Sequence, residues 1–366
     1  MKKKLRFGHS QIAVLTLLLV ASMTAFSSFA VSSINGITRP LAPTMLTGNG
    51  INYSPFRTGN RDTETIDPRH LKEDLSLLVR AGFNFIRVFD SSDERTKKTL
   101  ELIRSEKVDL KVILGIHIQG NHEVFNKAEI KRGIKLANDF KDIVIAVSVA
   151  NETLIPGSPN PVKPDLIIEH LKNVRAQISQ PITTSDVWLY FSSAPKKLFE
   201  KVDFVSMHSY PFIGTADWDW KRLDVAKEKR AAAMMDGALS RLKLQFGLVK
   251  ENVKTTGFPH LPVIIGETGW KAHATDKEKY RAHPANQKMY YDRLMDWQSL
   301  SRKQPQTGPS AIIWFQAFDE HWKREDDAWG LFTIDRKARF ALHKWFEPSE
   351  EDGTKFSEQD ALFYSP

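Results

Sequence analysis

Short apolar runs along this chain alternate with stretches whose apolar residues recur every three to four positions. The runs suit strands buried on both faces, and the longer period suits amphipathic helices packed against them. Gly50–Phe56 reads as a first strand. Leu71, Leu75, Leu77, Leu78 and Val79 then give a helix over 70–81 a broad apolar face, closed by Gly82. Further strands are expected at 83–89, 110–118, 143–151, 181–189, 204–210, 262–267 and 311–315. Between them the spacing predicts a helix from Asp93, others over 123–140, 223–246 and 286–300, and one beginning near Pro164, where proline is tolerated. A short helix at 195–202 follows strand five, and an eighth helix is expected at 337–346.

Eight strand–helix units in order, with no hairpin signal between them, predict an α/β fold: a single (β/α)8 TIM barrel. Right-handed crossovers satisfy this order without strain. Long βα loops are expected at 212–222, 271–283 and 320–336. The catalytic domain is placed at 48–346, after a lead-in at 31–47 and before a polar tail at 347–366.

Residues 1–30 read as a signal peptide. Lys2, Lys3, Lys4 and Arg6 precede the largely apolar Ile12–Val20, and Ser28-Phe29-Ala30 offers small residues where a signal peptidase reads. The apolar run is short for a span of about 20 residues. The expectation is export to the periplasm or the extracellular space, with no membrane attachment after cleavage.

Charge and cysteine content narrow the partners. The four basic residues of the leader supply half of the formal +8, and no basic stripe of the nucleic-acid kind remains. Zero cysteines exclude disulfides, thiolate chemistry and lipoprotein attachment.

In a barrel of this type the active site lies at the C-terminal ends of the strands. The polar residues expected there are Tyr53, Arg87, Asp90, His117, Gln119, Asn151, Glu152, Asp186, Trp188, His208, Tyr210, Glu267, Trp270, Asp319 and Glu320. Two strand-end glutamates, Glu152 after strand four and Glu267 on strand seven, are what a glycosidase needs. A gap of about 5–5.5 Å would give retention and one of about 6.5–9.5 Å inversion, and the sequence leaves both open.

A nucleophile must stay ionised, for which Arg87 and Tyr210 are candidate donors, while the Asn151 amide can hold a sugar 2-hydroxyl. Asp90, His117 and His208 are read as supporting residues. Their spacing matches no metal motif, so neither metal nor cofactor is expected. Among nine tryptophans, Trp270 is the first choice for stacking on a sugar ring, followed by Trp218 and Trp220.

Val149-Ala150-Asn151-Glu152 and Ile265-Gly266-Glu267-Thr268-Gly269-Trp270 carry a resemblance, joined by Asn52-Tyr53, Ile86–Asp90, Ser206–Pro211, Ala317–Glu320, Lys323 and Trp329-Gly330. Over about residues 45–346 the chain resembles glycoside hydrolase family 17, in the clan of retaining (β/α)8 glycosidases. The resemblance implies action on a β-1,3-glucan polysaccharide or oligosaccharide, with Glu152 as acid/base and Glu267 as nucleophile. It also implies sugar-binding or supporting roles for Tyr53, Asn151, Tyr210, Glu320 and Lys323.

Three positions depart from the family pattern: Ala150, where plant members usually have glycine; Lys271, where proline is common; and His321, where related bacterial sequences often have proline. The expected activity is hydrolysis through a covalent glycosyl-enzyme. The alternatives are glucanosyl transfer by the same residues, action on β-1,4 linkages, and a non-catalytic sugar-binding barrel.

Overall fold

The computed structural model describes residues 38–214, 225–226, 229–275, 278, 281–305, 307–323 and 328–347. The leader at 1–30, Trp218, Trp220 and residues 348–366 of the tail lie outside the described residues.

Eight parallel strands close into a barrel in sequence order. They are β1 (Gly50–Asn52), β2 (Phe85–Arg87), β3 (Lys111–Ile116), β4 (Val144–Asn151), β5 (Ile182–Val187), β6 (Val205–His208), β7 (Val263–Thr268) and β8 (Ile312–Trp314). Helix α1 (Pro43–Thr47) precedes β1. The crossovers include α2 (Pro68–Arg80), α3 (Lys98–Ser105), α4 (Glu123–Asp139) and α5 (Pro164–Arg175). Short helices α6 (Trp188–Phe191) and α7 (Lys196–Phe199) follow β5. Then come α8 (Pro211–Gly214), α9 (Arg230–Thr255) and α10 (Pro284–Lys303).

Local sequence explains several of these starts. Asp67 caps α2 by accepting the Arg69 N–H at 2.8 Å, with Pro68 in the first turn. His283 does the same for α10 by accepting from Ala285 N at 3.1 Å, ahead of Pro284.

Alternation along the strands divides the core. Phe85, Ile113, Ala146, Ile264, Ile313 and Phe204, which precedes β6, gather in one buried cluster with Leu41 and Met45. Their sequence neighbours Ile86, Leu114, Val147, Ile265 and Ile312 belong to the larger cluster that includes the helices. Leu41 and Met45 come from the stretch read as a lead-in, and they are part of the barrel's packing. Each fully buried aliphatic or aromatic side chain contributes roughly 1.5–3 kcal/mol.

The alternation breaks at both glutamates. On β7 the pairing with β6 jumps from Met207↔Ile265 to His208↔Glu267, an extra residue on β7. On β4 the pairing with β5 jumps from Ser148↔Thr183 to Asn151↔Ser185. Such bulges re-aim side chains. Without its bulge, Glu267 would share the outward direction of Ile265. Gly266 permits the tight passage: a Cβ there would meet Ser206 Oγ at 2.2 Å and the His208 ring at 3.2 Å.

Three element expectations need correction. The helix expected at 337–346 is only a 3-10 turn at Phe340–Leu342. The preceding backbone is engaged elsewhere: Phe332 bridges both Phe318 and Ala338, and Arg339 N donates to Leu331 O. Strand five ends at Val187, and Trp188 opens α6. The sixth crossover helix runs on to Thr255, nine residues past Phe246 as the expected end.

Candidate active site

The C-terminal mouth of the barrel holds a cavity of ≈ 540 Å³. Its lining includes Tyr53, Asp90, His117, Asn151, Glu152, Tyr210, Glu267, Glu320 and Lys323, all expected from sequence. Arg87 and His208 stand behind this lining as buried supports.

Glu267 is buried and fully engaged. Its Oε1 accepts from Arg87 Nη1 at 2.6 Å, and its Oε2 accepts from the Tyr210 hydroxyl at 2.5 Å. Burial alone would push its carboxyl group up. The positive charges of His208, when protonated, and Arg87 outweigh that, together with the hydrogen bonds from Tyr210 and Arg87, and hold it below the ordinary glutamate value. Burial and the two nearby carboxylates push the Tyr210 phenol well above its usual range, so it remains a donor.

Glu152 has a different setting. Its side chain is 38% exposed against 5% for Glu267, and its Oε1 lies 2.8 Å from His208 Nδ1. The same ring nitrogen lies 3.6 Å from Glu267 Oε2, so one buried imidazole touches both carboxylates. Glu152 reaches its place through left-handed backbone at Ala150 (φ 69°) and at Glu152 itself (φ 51°). That conformation costs of order 1–3 kcal/mol per residue and is common at functional sites. The Glu152 N–H is held by Ser185 O at 2.9 Å.

Arg87 links four strands. Besides Glu267 on β7, it donates from Nη1 to Asn52 Oδ1 on β1 at 2.9 Å and from Nη2 to Asn151 Oδ1 on β4 at 2.5 Å. A guanidinium only donates, so Asn151 must turn its carbonyl oxygen to Arg87, and its amide N–H groups remain for a ligand. Asn52, quoted in the sequence motif without a role, also donates to Gly266 O and Trp314 O. Its position two residues after Gly50, on the same strand face, was the available signal.

Ligand atoms of Glu152, His208 and Glu267 all lie within 4.8 Å of one another. One oxygen of each carboxylate therefore falls within that distance. The same three atoms could surround a cation, but Arg87 and Tyr210 already occupy both Glu267 oxygens. Among the described residues, Asp90 and His117 join no such group. Asp90 accepts from Ser92, Arg95 and Thr96, and burial lowers the His117 imidazole against the opposing charges of Glu129 and Asp90.

Trp270 is a correction. Its side chain is fully buried, its Nε1 donates to Arg281 O at 2.9 Å, and Phe212 packs edge-on against it at 5.2 Å. It presents no face to the cavity because it completes the core behind β7. Tyr53 lines the cavity, but its hydroxyl is already committed, donating to Asp74 Oδ2 at 3.1 Å. Asp74 is buried on α2 and also holds Arg57 at 2.5 Å and Arg336 at 2.9 Å.

Glu320 is buried and paired with Lys323, whose ammonium also donates to Gln316 Oε1 at 3.3 Å; among the described residues, Glu320 Oε1 has no hydrogen-bond partner. Phe56, Phe125, Phe315 and Trp322 also line the cavity wall, beyond the residues expected there from sequence. Lys271, the departure after the Glu-Thr-Gly-Trp run, is buried with Glu278 at 2.7 Å and stands over Phe212 and Trp329.

Known proteins supply a further comparison. The family model described as the BtgE/BtgC glycoside hydrolase domain matches residues 50–331. The chain is 26% identical over 298 residues to a protein named glucan 1,3-beta-glucosidase from Arthroderma benhamiae, covering 76% of this chain and 86% of that one. It is 24% identical over 286 residues to a probable glucan endo-1,3-beta-glucosidase, btgC, from Aspergillus flavus, covering 71% of this chain and 38% of that one. The chain thus spans well under half the length of that btgC relative.

Among solved structures, an endo-laminarinase from Formosa superposes with a TM-score of 0.77 at 24% identity, covering 88% of this chain and 96% of that one. A family 17 beta-1,3-glucanosyltransferase from Rhizomucor miehei does so with a TM-score of 0.59 at 19% identity, covering 81% and 97%. These two likenesses bear on the fold.

Proposed function

The chain belongs to the BtgE/BtgC glycoside hydrolase family and is a glycosidase, and on that footing we propose that it is an exported enzyme cleaving β-1,3-glucan with retention. The observation that carries the mechanism is the close, unequal pair of Glu152 and Glu267. The linkage is supported by the β-1,3-glucan activities named for its relatives.

Glu267, ionised and aimed by Arg87 and Tyr210, attacks the anomeric carbon. Glu152 gives its proton to the glycosidic oxygen, so the bond breaks as the glycosyl–Glu267 ester forms. Glu152, now a carboxylate, takes a proton from water, which attacks the same carbon and frees Glu267. The 38% exposure of the Glu152 side chain suits a group that must meet a leaving group and then water. The Asn151 amide holds the 2-hydroxyl, a contact that strengthens as positive charge grows on the ring. Glu320 and Lys323 hold further hydroxyls. If a second sugar replaces water in the last step, the same residues carry out transfer.

The test joins a substrate panel to a trap. Laminari-oligosaccharides should be cleaved, while cello- and manno-oligosaccharides should not. A 2-deoxy-2-fluoroglucoside with a good leaving group should leave a stable adduct on the peptide containing Glu267. Cleavage of the β-1,4 panel alone would overturn the linkage, and an adduct elsewhere would overturn the assignment of Glu267. Products longer than the starting oligosaccharide would identify transfer.

A further inference from the structure

We propose that Trp322 is the platform of a sugar subsite on the glycone side of the cleft, and that Arg61 covers it in the free protein. The proposal rests on the β-glucanase reading above. Among the described residues, Trp322 is the one tryptophan that lines the cavity.

Its distance from the reacting centre can be followed contact by contact. Tyr210, bonded to Glu267, meets Phe315 edge-on at 5.6 Å between ring centres. The Lys323 ammonium stands 4.6 Å from the Phe315 ring and 5.3 Å from the Trp322 ring. Trp322 is thus one layer beyond the place of the reacting sugar. It receives the next ring.

The barrel order gives the side. Trp322 follows β8, and in a closed ring of eight strands β8 lies opposite β4, which delivers Glu152. The leaving group must sit over Glu152 to receive its proton. A ring against Trp322 therefore belongs to the part of the chain that stays attached to Glu267.

Arg61 holds its guanidinium 4.2 Å over the centre of the Trp322 ring. A sugar ring stacks on an indole through the same face, so the two compete. The ion-pair partner of Arg61 among the described residues is Asp62 at 3.6 Å, with side chains 47% and 87% exposed. Exposed pairs of this kind are weak, so the cover leaves at small cost. Phe56 stands edge-on to the indole at 6.2 Å and fixes its plane after Arg61 moves.

The test uses aryl β-glycosides with one leaving group and one, two or three β-1,3-linked glucose units, all of them on the glycone side. The native protein should gain in kcat/KM with each added unit. Trp322→Ala should remove about tenfold of the gain beyond the first unit and leave the aryl glucoside within about twofold. Trp322→Phe should restore part of that gain. Arg61→Ala should lower KM for the longer glycosides alone.

Equal losses at every length would assign Trp322 a structural role and overturn the proposal, as would no loss at any length. If the native protein turns over neither these glycosides nor laminari-oligosaccharides, the β-glucanase reading fails. The subsite is then judged by quenching of tryptophan fluorescence with laminari-oligosaccharides. Quenching that weakens in Trp322→Ala supports it, and identical quenching in both proteins overturns it.

Discussion

Arg87 Nη1 lies 2.6 Å from Glu267 Oε1 with both side chains buried, and the same guanidinium fixes the carbonyl oxygens of Asn52 and Asn151. Removing one partner of a buried pair strands the other charge, at about 3–5 kcal/mol. Arg87→Met should therefore lower the urea midpoint and abolish turnover. Arg87→Lys keeps the charge but loses the fork. It should recover part of the stability and little of kcat.

Tyr210→Phe tests what holds the nucleophile ionised. The variant keeps the ring contacts with Phe315 and Trp329 but removes a hydrogen bond that lowers the Glu267 carboxyl. Losing a stabiliser of the anion raises the pKa of that carboxyl group. The acid limb of the kcat/KM profile, which reports the free enzyme, should move to higher pH. An unmoved limb would mean that Glu267 does not set it.

Trp270 and Trp322 should separate stability from recognition. Trp270→Ala empties a buried site between Phe212 and Tyr290 and should cost about 3–5 kcal/mol in thermal or denaturant unfolding. Trp322→Ala should cost less than about 1 kcal/mol, because its place is at the cavity wall. Two calorimetric scans decide it.

Ala150 occupies backbone at φ 69°, where glycine is at ease. Ala150→Gly relieves about 1–2 kcal/mol of steric cost but adds freedom to the unfolded chain. A net gain of up to about 1 kcal/mol is expected, read as a higher unfolding midpoint. Ala150→Val should destabilise by more than that and disturb Glu152.

Dialysis against EDTA should leave activity unchanged. The trio of Glu152, His208 and Glu267 has metal-like spacing, yet a cation there would face the Arg87 guanidinium across the same carboxylate. Activity lost to the chelator and restored by a divalent ion would make the trio a metal site.

Most strands were legible because strands buried on both faces are largely apolar, as at Val263–Ile265 and Val144–Val147; β5, with Thr183, Thr184, Ser185 and Asp186 buried, is the exception. The segment 337–346 was not legible, although Ala338, Ala341, Leu342, Trp345 and Phe346 repeat with helical spacing. Periodicity records which residues are buried, and here the backbone of 331–339 had already been taken by bridges. The two glutamates were legible from their places at strand ends. Their aim was not, because the bulges on β4 and β7 are changes of pairing register: Gly266 marks the one on β7, but no glycine marks the one on β4. Trp270 failed for the same reason. Beyond the bulge, parity no longer tells an indole facing the cleft from one facing the core.

Asp74 has a consequence in time. Its carboxylate is completed by Arg336, 262 residues further along the chain. The backbone ladder between β1 and β8 is short, with pairs at Gly50↔Ile313 and Ile51↔Trp314, so this side-chain knot fastens the joint where the barrel meets itself. During synthesis Tyr53, Arg57 and Asp74 emerge early and then wait through seven more strands for the residue that completes their bonding. An unfinished chain can form ladders and helices, but its first and last turns cannot be locked together until Arg336 arrives.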